Sequence, residues 1–153
     1  RHQASGHLGS NLERVVRELH RPILMVPKTF TRPEKILMAF DGSKTSRKGV
    51  EMLARSPLFA GTGGHVLIVG AETAERRSEI EWALSTLREA GHQAEGAIRA
   101  GEVDEALQAY ETEHSIDLLV MGAYGHSRIR HLLVGSTTTA MLRGSRIPVL
   151  ILR

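Results

Sequence analysis

From residue 35 onward, short uninterrupted apolar runs alternate with longer amphipathic stretches, and this alternation restricts the fold more than any other feature. The runs are Lys35–Phe40, His65–Ala71, the more polar Gln93–Arg99, Leu118–Met121 and Pro148–Leu152. Strands that are apolar on successive residues have both faces covered, as in a parallel sheet between helices. Between them, Val50, Met52, Leu53 and Ala54 predict a helix over about 44–55, closed by Ser56-Pro57. Ile80, Ala83, Leu84 and Leu87 share one face of a helix over 75–91 that stops at Gly91, and Val103, Ala106, Leu107 and Tyr110 mark another over 103–114. A last helix is expected over about 136–142, after a glycine-bearing loop. The pattern reads as α/β: an open parallel sheet with right-handed crossovers and helices on both faces.

Composition excludes several classes. With 41% hydrophobic and 24% charged residues, the 153-residue chain can build a core and is not disordered as a whole. No apolar run approaches the ~20 residues of a membrane span, and no signal-peptide core is read at the N-terminus. The absence of cysteine removes disulfide and cysteine-based zinc or redox chemistry and suits a reducing cytoplasm, the expected location. The formal charge of +3 lies wholly in residues 1–34, where six basic residues face three acidic ones; residues 35–153 carry fourteen of each sign. No dense basic stripe with interleaved aromatics exists, so no nucleic-acid partner is expected, nor a membrane.

Residues 1–34 do not form another unit of the alternating pattern. A helix is expected over 10–20 and a strand over 22–26, but the next strand follows too soon for a crossover helix. The segment instead repeats the C-terminus at a shift of 126 positions: Gly9-Ser10 matches Gly135-Ser136, Val16-Arg17 matches Leu142-Arg143, and Pro22–Val26 matches Pro148–Leu152. The expected organisation is therefore the closing helix and strand of a preceding domain over 1–27, a linker over 28–34, and a complete domain over 35–153. Both repeated strands are long apolar edges, and bare edges invite aggregation. Strand 22–26 is expected to pair antiparallel with 148–152, or with its counterpart in another chain.

Two sequence elements point to a site. Gly122-Ala-Tyr-Gly125, nine residues and then Gly135-Ser136-Thr137 follow an apolar strand and open a helix. Glycines permit positive φ and close backbone approach, and the helix N-terminus offers unpaired N–H groups to an anion. The loop is neither a Walker A sequence nor a Gly-x-Gly-x-x-Gly fingerprint, and spacing alone allows a plain tight turn with Ser136 as N-cap. Asp41 stands at the carboxyl end of the first strand of the complete domain. There it can accept hydrogen bonds from a ribose or adenine, or simply cap the helix that follows.

Residues 35–153 resemble a universal stress protein domain of the ATP-binding branch. The resemblance rests on Asp41-Gly42-Ser43, on the Gly122-x2-Gly125-x9-Gly135-Ser136 spacing and on the terminal Pro148-Val-Leu-Ile strand. It implies a five-stranded parallel sheet of order 3-2-1-4-5 that binds ATP or AMP, with or without Mg2+, between strands one and four. On the matching positions Asp41 would hold ribose, while Val69 and the Ala39 backbone would lie beside adenine. Met121, Gly122, Gly125, Gly135, Ser136 and Thr137 would surround ribose and phosphates. Tyr124 departs from the basic residue common before the second glycine, with Arg128 and Arg130 nearby in the loop. Pairing through the last strand across a two-fold axis is also implied.

No side-chain set supports covalent or acid–base catalysis, since Ser43, Ser46 and Ser136 have no His/Asp pair at convincing spacing. Slow hydrolysis of bound ATP is the most that is expected. The eight histidines are scattered, with no HxxxH pair, and no metal site is read from them. The expected function is a regulatory adenine-nucleotide-binding module of the stress response, the alternative a nucleotide-free dimerisation or interaction scaffold of the same fold. A PP-loop enzyme is disfavoured, because Asp41-Gly-Ser-Lys44 stands where its Ser-Gly-Gly-x-Asp-Ser loop would be.

Overall fold

The computed structural model describes Glu18, residues 20–122 and residues 147–152. The expected helices over 10–20 and 136–142 fall almost wholly outside those residues. In chain order the elements are β1 (Ile23–Met25), β2 (Lys35–Ala39), α1 (Lys44–Arg55), β3 (Gly63–Val69), α2 (Ala74–Glu89), β4 (Gln93–Arg99), α3 (Val103–His114), β5 (Leu118–Gly122) and β6 (Val149–Leu152). The helices begin and end where short-range chemistry dictates. Ser43 caps α1 by accepting from the Ser46 N–H, and Thr73 caps α2 by accepting from Arg76. Past α2, Gly91 takes a φ of +92°, the left-handed turn that glycine adopts without strain.

The strands form one sheet in the order β1-β6-β5-β2-β3-β4. β2 through β6 are mutually parallel, and β1 alone runs antiparallel, against β6. The sheet thus has six strands where the complete domain alone predicts five, because the N-terminal strand adds to its edge through the expected antiparallel pairing with 148–152. The order of the other five is the one expected.

Strand alternation sorts the core onto two faces. Leu37, Ala39, Leu67, Leu119, Met121, Val149 and Ile151 point to the face covered by Val103, Leu107 and Tyr110 of α3. Ile36, Met38, Val66, Ile68, Leu118, Val120 and Leu152 point to the other face, under Val50 and Leu53 of α1 and Ile80, Ala83, Leu84 and Leu87 of α2. Helices therefore lie on both faces, and every central strand is apolar on both sides, as the uninterrupted runs require.

The β1–β6 register carries an internal symmetry. Leu24 faces Leu150, the residue 126 positions further on, while Ile23 faces Ile151 and Met25 faces Val149. Applying the 126-residue shift to either outer pair generates the other. The pairing is self-complementary, as in a contact across a two-fold axis.

Candidate functional site

The chain leaves β2 toward β3 on one side and returns through β5 on the other, so strand order reverses between β2 and β5. Crevices outside the carboxyl ends of strands at such a reversal are where open α/β sheets bind ligands. Beyond the Met38–Val120 pairing, the two strands run on to Asp41 and Gly122.

Asp41 is half-buried and shapes the turn that follows it. Its Oδ1 accepts from the Ser43 N–H at 2.9 Å and from the Ser46 hydroxyl at 2.8 Å. Gly42 bends the chain with a φ of +77°, where any side chain would meet the Glu79 carboxylate of α2. Arg47 donates from Nε to the Gly42 carbonyl at 3.2 Å, and its guanidinium lies 4.6 Å from the centre of the Trp82 ring. The cap of α1 is Ser43, so Asp41 does not take the capping role considered as its alternative; it braces the turn before the cap.

Across the strand reversal, Gly122 approaches α1 so closely that a Cβ there would lie 3.3 Å from Thr45 Cγ2. Ala39 and Met121 are buried in the α3-side core, and Val69, at the carboxyl end of β3, is partly buried against it. The structure thus brings five of the sequence-derived residues, Ala39, Asp41, Val69, Met121 and Gly122, to the carboxyl ends of β2, β3 and β5. Gly125, Gly135, Ser136 and Thr137, with Tyr124, Arg128 and Arg130, lie outside the described residues.

The opposite end of the sheet holds a cluster that sequence spacing does not reveal. His65 near the start of β3 pairs in register with Glu95 of β4, and His114 closes α3 above them. The Glu95 Oε1 lies 3.2 Å from His65 Nδ1 and 3.5 Å from His114 Nδ1. The Tyr110 hydroxyl is 2.9 Å from His65 Nδ1, and the Tyr110 ring stacks on His114 with centroids 4.1 Å apart. Burial holds His65 below the ordinary histidine pKa, opposed by Glu95 and reinforced by His114 and Lys35. Burial likewise pushes the Tyr110 phenol up to about 12. Arg99 reaches across to form a two-point contact with Glu113, at 3.0 and 2.6 Å. His65, Glu95 and Lys35 line a surface cleft of about 410 Å³ with His114. The one signal that could have exposed this cluster is β3–β4 pairing, which sets residues 65 and 95 side by side.

Among the described residues no helix is long and apolar enough to cross a membrane.

The sequence pattern of the universal stress protein family matches residues 69–153. Universal stress protein Slr1230 from Synechocystis sp. is 42% identical over 152 residues, which is 98% of this chain and 53% of that protein. The chain spans about half the length of the curated relatives it matches. A universal stress protein from Archaeoglobus fulgidus DSM 4304 superposes with a TM-score of 0.72 at 21% identity, over 91% of this chain and 52% of that one. A universal stress protein solved in complex with cAMP gives a TM-score of 0.64 at 24% identity, covering 80% of this chain and 98% of that one. The Archaeoglobus fulgidus universal stress protein in complex with dAMP gives 0.59 at 19% identity, covering 80% and 100%. A family pattern that matches residues 69–153, joined to a relative 42% identical across nearly the whole length, establishes that this chain belongs to the universal stress protein family.

Proposed function

We propose that the chain is a regulatory module that binds an adenine nucleotide, ATP or AMP, in the crevice between the carboxyl ends of β2 and β5. The observation that carries this reading is the half-buried Asp41 carboxylate, set at the reversal of strand order and held by the Ser43 N–H and Ser46 hydroxyl. A carboxylate in that position accepts hydrogen bonds from ribose hydroxyls. Gly122, whose approach to Thr45 leaves little room for a side chain, lets the β5 exit pass close to a ligand. Val69 and the Ala39 backbone lie beside the base, and Met121, Gly125, Gly135, Ser136 and Thr137 surround ribose and phosphates, with Mg2+ where a triphosphate is held. The complexes of two solved relatives with cAMP and dAMP agree in ligand class.

Residues 1–27 fit this reading as the closing helix and strand of a preceding domain of the same kind. Three observations support it: the 126-residue repeat, the self-complementary β1–β6 register and the roughly double length of the Synechocystis relative. In such a protein the two domains pair edge to edge through β1 and β6.

The test is thermal unfolding of the 153-residue chain with and without millimolar Mg-ATP or AMP. A ligand present at a hundredfold excess over its Kd adds about 2.7 kcal/mol by mass action, which shifts Tm by several degrees. Asp41→Ala should abolish most of the shift. An unshifted Tm for the parent chain at millimolar nucleotide sinks the proposal and favours the nucleotide-free scaffold.

A further inference from the structure

We propose that His65, Glu95 and His114 form a divalent transition-metal site, with Zn2+ its best occupant, at the end of the sheet opposite the proposed nucleotide crevice. One nitrogen from each histidine and one carboxylate oxygen lie within 4.8 Å of one another. Zinc binds imidazole nitrogen at about 2.0–2.1 Å and carboxylate oxygen at about 2.0–2.2 Å, so neighbouring ligand atoms in a tetrahedral site stand roughly 3.4 Å apart. The two nitrogen–oxygen separations here, 3.2 and 3.5 Å, bracket that edge length. The third separation, between the two nitrogens, is bounded at 4.8 Å, and rotation of the part-exposed His114 ring closes it on an ion.

Two imidazoles and one carboxylate select a borderline ion such as zinc over magnesium or calcium, which prefer all-oxygen shells. The setting also favours a cation. His114 closes α3, where the helix dipole presents its negative end. The ring of His65 is buried, so ordering it on binding costs little. Tyr110 stacks on His114 and fixes that ring's plane, while its hydroxyl, 2.9 Å from His65 Nδ1, gives way when that nitrogen takes the ion. The three protein ligands leave a fourth position open toward the cleft that Lys35 also lines.

The experiment titrates the 153-residue chain with ZnCl2 against a chromogenic chelator and, in parallel, with Co2+, whose visible absorption reports tetrahedral geometry. Glu95 and His114 are exposed enough, at 64% and 32% of their side chains, to be replaced without unfolding the domain. One equivalent should bind, with Glu95→Gln and His114→Ala each weakening it at least about tenfold. Lys35→Gln, which removes a cation from the cleft, should tighten it. Failure to bind one equivalent, or binding that survives both ligand substitutions, overturns the site. A Lys35→Gln variant that binds more weakly also overturns it, because removing a neighbouring cation should favour a bound metal ion at these ligands.

Discussion

β1 and β6 are near-copies in sequence, pair with each other in a symmetric register, and yet meet opposite fates. On β6, Leu152 is 4% exposed, packed beneath α1 in the core. Its repeat counterpart next to β1, Val26, is 55% exposed, and Leu24, the counterpart of the partly buried Leu150, is 51% exposed. On the opposite face the strands behave alike: Ile23 and Met25 pack against the same core that holds Val149 and Ile151. One face is continuous across both strands, whereas the other is covered only on the β6 side. Apolar pattern therefore fixes which residues seek cover, and neighbouring elements decide which of them find it.

The largest effect should separate the two strands directly. Leu152→Ala removes a buried side chain that touches α1 and should cost about 2–5 kcal/mol, whereas Val26→Ala in the same chain should cost less than about 0.5 kcal/mol. Urea unfolding of both variants gives the comparison. Equal losses would mean that the asymmetry in burial is not real in solution.

A second substitution probes the cover itself. Gly49 of α1 has no space for a Cβ, because Leu152 Cδ1 and Met38 Cε already occupy it. Gly49→Ala should overpack that contact and cost about 1–3 kcal/mol, offset in part by the better helix propensity of alanine. Combining it with Leu152→Ala should recover much of the loss, a coupling that no pair involving Val26 will show in this chain.

A third prediction tests the proposed preceding domain. In a chain extended by that domain's remaining residues, an α1-like helix would cover Leu24 and Val26. Val26→Ala should then cost on the order of 1–2 kcal/mol where the shorter chain loses almost nothing. If the cost stays negligible in the extended protein, β1 is an appendage of this domain and not the last strand of another.

The same contrast explains how far the sequence could be read. Strands 35–39 and 118–122 are legible because continuous apolar runs bounded by glycine have few alternatives, and the 126-residue repeat made the β1–β6 pairing foreseeable. The Asp41–Ser46 turn is legible for a related reason: its chemistry is local, within six consecutive residues. The repeat left open only whether β1 pairs with β6 of the same chain or of another, since an edge strand accepts either partner. His65, Glu95 and His114 were missed because about twenty to thirty residues separate each from the next. Only strand pairing and the docking of α3 bring them together, and neither leaves a mark in local spacing.

The smallest effect concerns α3, whose Val103, Leu107 and Tyr110 belong to the same core as the inward residues of β1 and β6. Glu111 on that helix is partly buried, and desolvation raises its pKa from 4.5 to about 7. A carboxyl group whose folded pKa lies above its unfolded one binds more protons in the folded state between those values. Stability attributable to Glu111 is therefore greatest below about pH 4.5 and declines as pH rises to about 7. Partial exposure discounts the full linkage value, leaving about 1 kcal/mol. Glu111→Gln should stabilise the protein by that amount at pH 8 and by almost nothing at pH 4.5. The difference between variant and parent carries the test, because His65, held neutral by burial, tilts the absolute profile in the opposite sense as pH falls. A difference that does not vary with pH would show that Glu111 is hydrated in the folded chain, and that α3 docks on the sheet less closely than its buried residues indicate.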